Sequence, residues 1–296
     1  MRYVSPLRYP GGKARLAPFI SSLIEAQDRA PVSFAEPFAG GAGAALRLLV
    51  DGSVEKVYLN DLNLGIASFW RAVFEEGERL AQVIETTKVD LDTWRLARDV
   101  YQAGATETTF ELGFATFLLN RCNRSGILDA RPIGGFEQNG TWKIDARYNH
   151  VALAARVRKL WAYRDRVSVS ALDGREFLTR LSTDEPDVLV YVDPPYLVQG
   201  ERLYLDSLSS GDHARLAKML KSSDLRWFLT YDVDSRITED LYQGLRAATF
   251  DIAHTAQRQH VGEEIVVFSN GLIIPDVPLI GKSRARWDAI ERLSLR

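Results

Sequence analysis

Seven short apolar runs along the chain have the length of buried β-strands and are bounded by turn or helix signals. They are residues 32–38, 56–61, 167–172, 187–193, 226–231, 248–255 and 264–270. Apolar residues at helical spacing fill several of the gaps, namely 14–27, 42–50, 64–75, 151–161, 174–181 and 212–221. Because strands and helices alternate, we predict an α/β fold with a doubly wound, mostly parallel sheet of seven strands.

The alternation breaks between about residue 76 and residue 165. This stretch contains helical patterns at 79–102 and 110–121, followed by a loop-rich segment with glycine and arginine. We therefore predict that 76–165 is an insertion forming a second, smaller domain. The main domain would consist of 1–75 and 166–296.

The composition is that of a folded protein, since 46% of the 296 residues are hydrophobic and 26% are charged. Cys122 is the single cysteine, which excludes an internal disulfide and a cysteine-rich zinc site. The first ten residues lack the apolar stretch of a secretory signal, and no apolar run approaches the roughly 20 residues that cross a bilayer. We expect a soluble cytoplasmic protein without a membrane partner.

Charge is distributed unevenly along the chain. The net charge is −2, yet residues 120–166 carry ten lysines and arginines against four acids, which makes this segment +6. One interpretation is a solvated face on a helix at 151–161. The other is a surface that binds phosphate groups, and the charge pattern alone does not decide between them.

A glycine-rich turn joins the first predicted strand to the next helix in FAEPFAGGAGAAL, through Gly40, Gly41 and Gly43. Glycines at such a turn let the backbone approach a ligand, and the helix N-terminus offers N–H groups to it. Asp61 ends the second predicted strand eighteen residues after Gly43, where an acid can accept both hydroxyls of a ribose. The third glycine of a dinucleotide motif is absent, so a tight turn beside a surface acid is the alternative.

The sequence Asp193-Pro194-Pro195-Tyr196 directly follows the apolar run VLVYV. Prolines restrict the backbone and supply carbonyl groups without N–H donors. Such a turn can hold a planar amine if Asp193 and the carbonyl of Pro194 accept its two hydrogens and Tyr196 stacks on its ring. The four histidines show no metal-ligand spacing, so we predict no metal site.

Six motifs occur in a characteristic order over nearly the whole chain. They are RYPGGK (8–13), AEPFAGGAG (35–43), LNDLN (59–63), LNRCNRSG (119–126), LDGREF (172–177) and DPPY (193–196). In this set and order the chain resembles the Dam-type family of N6-adenine-specific DNA methyltransferases. The family sheet has six parallel strands and an antiparallel seventh in a terminal hairpin, which matches the seven predicted runs.

The resemblance implies transfer of a methyl group from S-adenosylmethionine to the N6 amine of an adenine flipped out of duplex DNA, leaving S-adenosylhomocysteine. It assigns catalysis to Asp193, Pro194, Pro195 and Tyr196. It assigns cofactor binding to Tyr9, Lys13, Glu36, Gly40, Gly41, Gly43, Asp61, Asp173 and Phe177, with Asp193 between cofactor and target. Lys13 would lie near the methionine end, and Asp173 and Phe177 would contact the cofactor's adenine.

The inserted domain matches the family's target-recognition region, so double-stranded DNA is the expected partner and would hold the protein at the nucleoid. The DNA-binding candidates are Arg121, Arg124, Arg131 and Lys159. Members that methylate GATC carry a pattern like N-G-L-x-R after the shared Asn-Arg, whereas this chain has RSGILDAR at 124–131, which argues against GATC as the site. A cognate restriction endonuclease or a defence system is a further partner that the resemblance leaves open.

Three other functions stay open on the sequence. The same acceptor geometry suits an N4-cytosine methyltransferase, although such enzymes more often carry serine at the position of Asp193. An RNA-base methyltransferase is disfavoured by the match across the inserted domain. A DNA-binding relative without activity is disfavoured by the intact glycine turn and by the presence of Asp61 and Asp193.

Overall fold

The computed structural model describes residues 4–8, 13–185, 187–195, 197, 208–254, 260–281 and 285–287. They form two compact units. The insert unit takes its residues from Met1–Pro10 and Asp61–Ala171, and the sheet unit takes its residues from Gly11–Asn60 and Leu172–Arg296. It stays a prediction that catalysis belongs to 1–75 and 166–296 and that target recognition belongs to 76–165.

Eight strands occur in the described part of the chain, one more than the sequence predicts. They are β1 (Ser33–Glu36), β2 (Lys56–Asn60), β3 (Val167–Ser170), β4 (Val188–Val192), β5 (Arg226–Asp232), β6 (Arg246–His254), β7 (His260–Phe268) and β8 (Arg286–Trp287). The additional strand is β8, whose two residues are too few to form an apolar run. The strand β3 belongs to the insert unit, and the other seven belong to the sheet unit.

The sheet unit orders its strands β2-β1-β4-β5-β7-β6-β8. The pairs β1/β2, β1/β4 and β4/β5 are parallel, and β7 is antiparallel to both β5 and β6. The strand β8 pairs antiparallel with β6. Five of the seven strands therefore run in one direction, and β6 and β7 form the terminal hairpin. The predicted α/β class with a mostly parallel sheet is confirmed.

Nine α-helices occur in the described residues. They are α1 (Ala17–Glu25), α2 (Gly43–Asp51), α3 (Leu64–Glu75), α4 (Gly77–Thr86), α5 (Leu91–Gln102), α6 (Phe110–Cys122), α7 (His150–Trp161), α8 (Gly174–Asp184) and α9 (Ser210–Ser222). The helical pattern predicted over 79–102 is two helices, because the Asp90 side chain accepts the N–H of Thr93 at 2.9 Å and starts a new helix there. Among the described residues, no helix has both the length and the apolar character needed to cross a membrane.

The strand β4 has no polar face because it lies in the core of the sheet unit. All five residues of β4 are buried, as expected for a parallel strand covered on both sides. One face packs against α8 and α9 through Leu178, Leu181 and Leu216. Since β4 is buried and paired on both sides, with β1 and β5, the residues that follow it start from a well-packed strand.

Candidate active site

Polar side chains occupy the ends of the central strands of the sheet unit. Glu36 ends β1, Asn60 ends β2 and Asp193 directly follows β4. The chain passes from β1 to β2 on one side and from β4 to β5 on the other, so the order of connection reverses between β1 and β4. In open α/β sheets, ligands bind beyond the carboxyl ends of the strands at such a reversal. These residues are therefore candidates for a binding site.

The Asp193 carboxyl group is held by two neighbours. The Thr230 hydroxyl donates to Asp193 Oδ1 at 2.8 Å, and Lys13 Nζ lies 3.2 Å from the same oxygen. Burial raises the pKa of Asp193, the Lys13 charge lowers it, and the nearby Glu264 raises it again. The side chain keeps 23% of its surface exposed, so a fixed carboxyl group remains accessible to a ligand.

A chain of hydroxyl groups fixes the orientation of Thr230. Its only hydroxyl proton goes to Asp193, so the Tyr191 hydroxyl, 2.8 Å away, donates to Thr230 Oγ1. Lys13 Nζ donates to the same Thr230 oxygen at 3.3 Å. Thr230 and Tyr191 are fully or almost fully buried, so this network holds Asp193 from inside the sheet.

A buried ion pair completes the cluster. Lys13 Nζ lies 2.5 Å from Glu264 Oε2, and the Glu264 side chain, on β7, is only 1% exposed. Burial alone lowers the pKa of Lys13, but the charges of Asp193 and Glu264 outweigh it and raise that pKa. Glu264 is not among the site residues predicted from the sequence. The sequence feature that could have identified it is the acid at the start of the predicted strand 264–270, because a charged side chain in a buried strand requires a partner.

Glu36 is a second buried carboxyl group at this edge. Its Oε1 accepts the N–H of Ala45 at 2.9 Å, in the first turn of α2. The pKa of Glu36 is raised to about 8, because burial and the charge of Asp193 raise it more than the Ala45 N–H lowers it. Glu36 is therefore mostly protonated at neutral pH.

We expect the stability of the protein to fall between pH 5 and pH 8 because of Glu36. Its folded pKa lies above its unfolded pKa, so the folded state binds the extra proton and loses that advantage as the pH rises. Glu36→Gln should remove up to about 1.4 kcal/mol per pH unit from this slope in denaturant unfolding. Glu55→Gln, at an exposed position, is the control. Equal slopes for wild type and Glu36→Gln would contradict the assignment.

The predicted glycine turn lies between β1 and α2. Gly40 has φ +45°, in the left-handed region that favours glycine. A Cβ on Gly43 would lie 3.1 Å from the backbone nitrogen of Ala14, so Gly43 lets α2 approach the short 3-10 helix Lys13–Leu16. Gly41 is buried in the same turn. In this structure Gly43 therefore serves packing, and the predicted ligand contact of the turn stays a prediction.

Asn60 is a structural residue of the site that the sequence analysis does not single out. Its fully buried amide donates to the carbonyls of Pro37 at 3.0 Å and Leu172 at 2.9 Å, and it accepts the Leu172 N–H at 2.9 Å. The turn after β1 and the segment before α8 are thereby tied to the end of β2. The LNDLN motif carries the signal, because an amide ending a buried strand needs hydrogen-bond partners.

The two cofactor candidates near α8 already have contacts within the sheet unit. Asp173 caps α8 by accepting the Arg175 N–H at 2.8 Å, and its carboxylate pairs with the Arg175 guanidinium, also at 2.8 Å. The Arg175 hydrogen bonds outweigh partial burial and lower the pKa of Asp173, which keeps it ionised. Phe177 is 7% exposed and packs in the core, so little of its ring remains for a ligand.

The remaining predicted residues are not placed in the Lys13–Asp193 cluster. Asp61 belongs to the insert unit, where its Oδ1 accepts the Asn63 N–H at 3.0 Å. Pro194 is buried and Pro195 is half-buried after β4. Tyr9 and Tyr196 lie outside the described residues. Of the predicted site residues, the structure thus places Lys13, Glu36 and Asp193 close enough for their contacts and charges to interact.

In the insert unit, a closed loop carries Arg124 and Arg131. The N–H of Arg124 donates to the carbonyl of Arg131 at 3.1 Å, and both side chains are exposed. The Asn123 amide supports the loop from inside by donating to the carbonyls of Ile127 at 3.0 Å and Leu128 at 2.7 Å. The loop therefore presents two neighbouring arginines to solvent.

The other two DNA-binding candidates differ in their surroundings. The Arg121 guanidinium donates to the carbonyls of Arg147 and Pro6. Burial, assisted by Arg8 and Arg156, lowers the pKa of Arg121 to about 10, so this side chain serves the packing of the insert unit. Lys159 is exposed in the last turn of α7. Direct contact of either residue with DNA stays a prediction.

No group of three or more histidine, cysteine, aspartate or glutamate side chains suited to a metal ion is found within the described ranges.

The fold is an α/β fold with polar side chains at the reversal of the sheet, and sequence comparison assigns the family. Residues 9–261 match the model of the D12 class N6 adenine-specific DNA methyltransferases. The chain belongs to this family and is a DNA adenine-N6 methyltransferase, as the motifs predict.

Other comparisons find lower similarity. An rRNA methyltransferase, aviRa from Streptomyces viridochromogenes, is 16% identical, with a TM-score of 0.39 over 88% of this chain and 86% of that one. Protein LPL1258 from Legionella pneumophila is 13% identical, with a TM-score of 0.33 over 88% of this chain and 85% of that one. No curated protein matches the sequence significantly.

Proposed function

We propose that the protein transfers the methyl group of S-adenosylmethionine to the N6 amine of an adenine that has left the stack of duplex DNA. The observation that carries this proposal is the fixed, partly exposed Asp193 carboxyl group at the sheet reversal, followed by two prolines. Such a carboxyl group can accept a hydrogen bond from an exocyclic amine. Membership in the D12 family supports adenine in DNA as the substrate.

The residues at the strand ends fit S-adenosylmethionine. This cofactor is cationic at its sulfonium and ammonium groups, and Glu36 offers a buried carboxyl group that a nearby cation would ionise. Ala42, which precedes α2, has no side chain that could accept an N–H of the first turn, and Glu36 accepts the N–H of Ala45 there. The family resemblance adds Asp61 for the ribose, and Asp173 and Phe177 for the adenine. When bound, the cofactor supplies an electrophilic methyl group.

The task of the protein is to make the amine of adenine a nucleophile. The lone pair of this amine is delocalised into the ring, so it attacks weakly. Asp193 and the carbonyl of Pro194 would accept its two hydrogens, favour the pyramidal form and stabilise the positive charge that develops on nitrogen. The methylated nitrogen then releases one proton to water. Fixed acceptors accomplish this without reorganisation because Thr230 and Lys13 already hold Asp193.

Adenine inside a duplex cannot reach such a carboxyl group, so the base must flip out. Unstacking costs a few kcal/mol, which contacts to the DNA backbone and stacking of the base offset. Tyr196 is the proposed stacking residue because it directly follows the two prolines in the sequence.

The test is incubation of the protein with labelled S-adenosylmethionine and duplex DNA, followed by nucleoside analysis. We expect label in N6-methyladenine, and 2-aminopurine at the target position should gain fluorescence on binding if the base flips. Label in N4-methylcytosine, or transfer to RNA in preference to DNA, would contradict the proposal. Absence of transfer to any nucleic acid would favour a DNA-binding protein without activity.

We further propose that the insert unit binds the DNA. The segment 120–166 is +6 in a chain whose net charge is −2, and such a patch concentrates phosphate binding on one part of the molecule. Arg124 and Arg131 are exposed side by side on the closed loop, where arginines can reach base edges. Lys159, at the end of α7, is suited to a phosphate contact.

Two classes of variant should therefore differ. Arg124→Ala or Arg131→Ala should cost about 1–3 kcal/mol of binding and relax the preferred sequence at one position. Lys159→Ala should weaken binding to all sequences. It should also reduce the slope of the logarithm of the binding constant against the logarithm of the salt concentration by about one. Binding titrations at several salt concentrations, combined with sequencing of methylated sites, measure both effects. Arg95→Ala is the control, because Asp92 already pairs with Arg95 at 2.7 Å. Unchanged affinity and site in all three variants would move DNA recognition to other residues.

A further inference from the structure

Lys13, the partly exposed Asp193 and the buried Glu264 form a charge cluster, and Glu264 has no role in the proposed chemistry. Lys13 is shared by two carboxyl groups, at 3.2 Å from Asp193 and 2.5 Å from Glu264. Lys13 is 11% exposed and Glu264 is 1% exposed, so water screens the pair weakly. A buried acid is costly unless it is paired, and Glu264 is held at this place by its contact with Lys13.

The charge balance suggests what Glu264 does. If Lys13 faced Asp193 alone, the two charges would cancel and little negative charge would remain for a cation on the target nitrogen. With Glu264 also on Lys13, the formal charges of the three groups sum to −1. Lys13 lies closer to Glu264 than to Asp193, so its positive charge compensates less of the negative charge on Asp193.

We propose that Glu264 is a positioning residue for methyl transfer, which holds Lys13 and offsets its charge so that Asp193 can stabilise the cation that forms on the amine. This inference rests on the proposed role of Asp193 as acceptor. The strand register supports it, because Glu264 of β7 lies opposite Asp232 of β5, two residues beyond Thr230, the hydroxyl donor to Asp193. Lys13, Thr230 and Glu264 thus act on Asp193 from three separate elements.

The pH dependence of the rate distinguishes this role from a purely structural one. Among the described residues, the titratable groups that act on Asp193 are Lys13, Glu36, Tyr231 and Glu264. Glu264 raises the pKa of Asp193, so removal of its charge should lower that pKa. The acid limb of the rate profile should then move to lower pH even though the plateau rate falls. A general loss of packing would lower the rate without moving the limb in this direction.

The experiment measures single-turnover methyl transfer to duplex DNA between pH 5 and pH 9 for wild type, Glu264→Gln and Glu263→Gln. We expect Glu264→Gln to lose about tenfold or more in plateau rate, and to shift its acid limb to lower pH. The concentration of S-adenosylmethionine that gives half of the plateau rate should stay within about twofold, since the loss occurs in the transition state. Glu263→Gln removes the same charge one residue earlier, at an exposed position paired with Arg286, and should match wild type.

A second variant covers the case in which Glu264→Gln does not fold. Glu264→Asp keeps the charge but shortens the reach to Lys13, so we expect a several-fold lower rate with the acid limb in place. A wild-type rate in either variant, or a lower rate of Glu264→Gln without the shift of its limb, would overturn the role of Glu264. Absence of transfer by the wild-type protein would instead contradict the proposed function, and this proposal with it.

Discussion

Asp193→Ala is expected to abolish methyl transfer while the protein remains folded. Loss of one group that stabilises charge in a transition state costs roughly 10²–10³ in rate, and Asp193 is the proposed acceptor at the reacting amine. Burial raises the pKa of Asp193, which means that its ionised form is unfavourable to the fold at neutral pH. Removal of this carboxyl group should therefore affect the rate far more than the free energy of unfolding.

Single-turnover assays with saturating S-adenosylmethionine and DNA measure the rate, and denaturant unfolding confirms the fold. Asp187→Asn is a matched control, since Asp187 precedes the same strand β4 at its opposite end and pairs there with Arg29 and Arg226. It should leave the rate unchanged. Near-normal turnover by Asp193→Ala would show that the acceptor lies elsewhere.

Lys13→Met is expected to have the largest effect on stability. The substitution leaves the buried Glu264 carboxyl group and the partly exposed Asp193 carboxyl group without the cation that both of them contact. Breaking a buried ion pair by removal of one partner costs about 3–5 kcal/mol, because the charge left behind is uncompensated. Denaturant unfolding at pH 7 measures the loss.

A double variant separates the ion pair from the side chain itself. Lys13→Met combined with Glu264→Gln should be more stable than Lys13→Met alone, because it no longer buries an unpaired Glu264 charge. Arg15→Met is the control, as Arg15 is an exposed cation of the same 3-10 helix. If Lys13→Met cost no more than Arg15→Met, the pair would not be a buried interaction of this strength.

The sequence alone determined the fold class and the position of the main catalytic candidate. Apolar runs and helical periods are local patterns, so they located β1 to β7 within a few residues. The place of Asp193 after β4 follows from the chain itself, since a charge and two prolines cannot continue a buried strand. The order of the motifs pointed to the family that the match over residues 9–261 shows. The two-residue strand β8 could not be predicted from the sequence, because two residues are too few to show a periodic pattern.

Only the tertiary structure decided which groups surround Asp193. Lys13 and Glu264 are 251 positions apart, and their contact depends on the pairing of β7 with β5 and of β5 with β4. Strand order and register are set by packing of the whole sheet, which no local pattern encodes. The close approach of Ala14 to Gly43 likewise became visible only in the fold, while the predicted ligand contact of Gly43 stays a prediction. Local sequence patterns identify the chemical groups, whereas long-range packing determines which of them come within reach of one another.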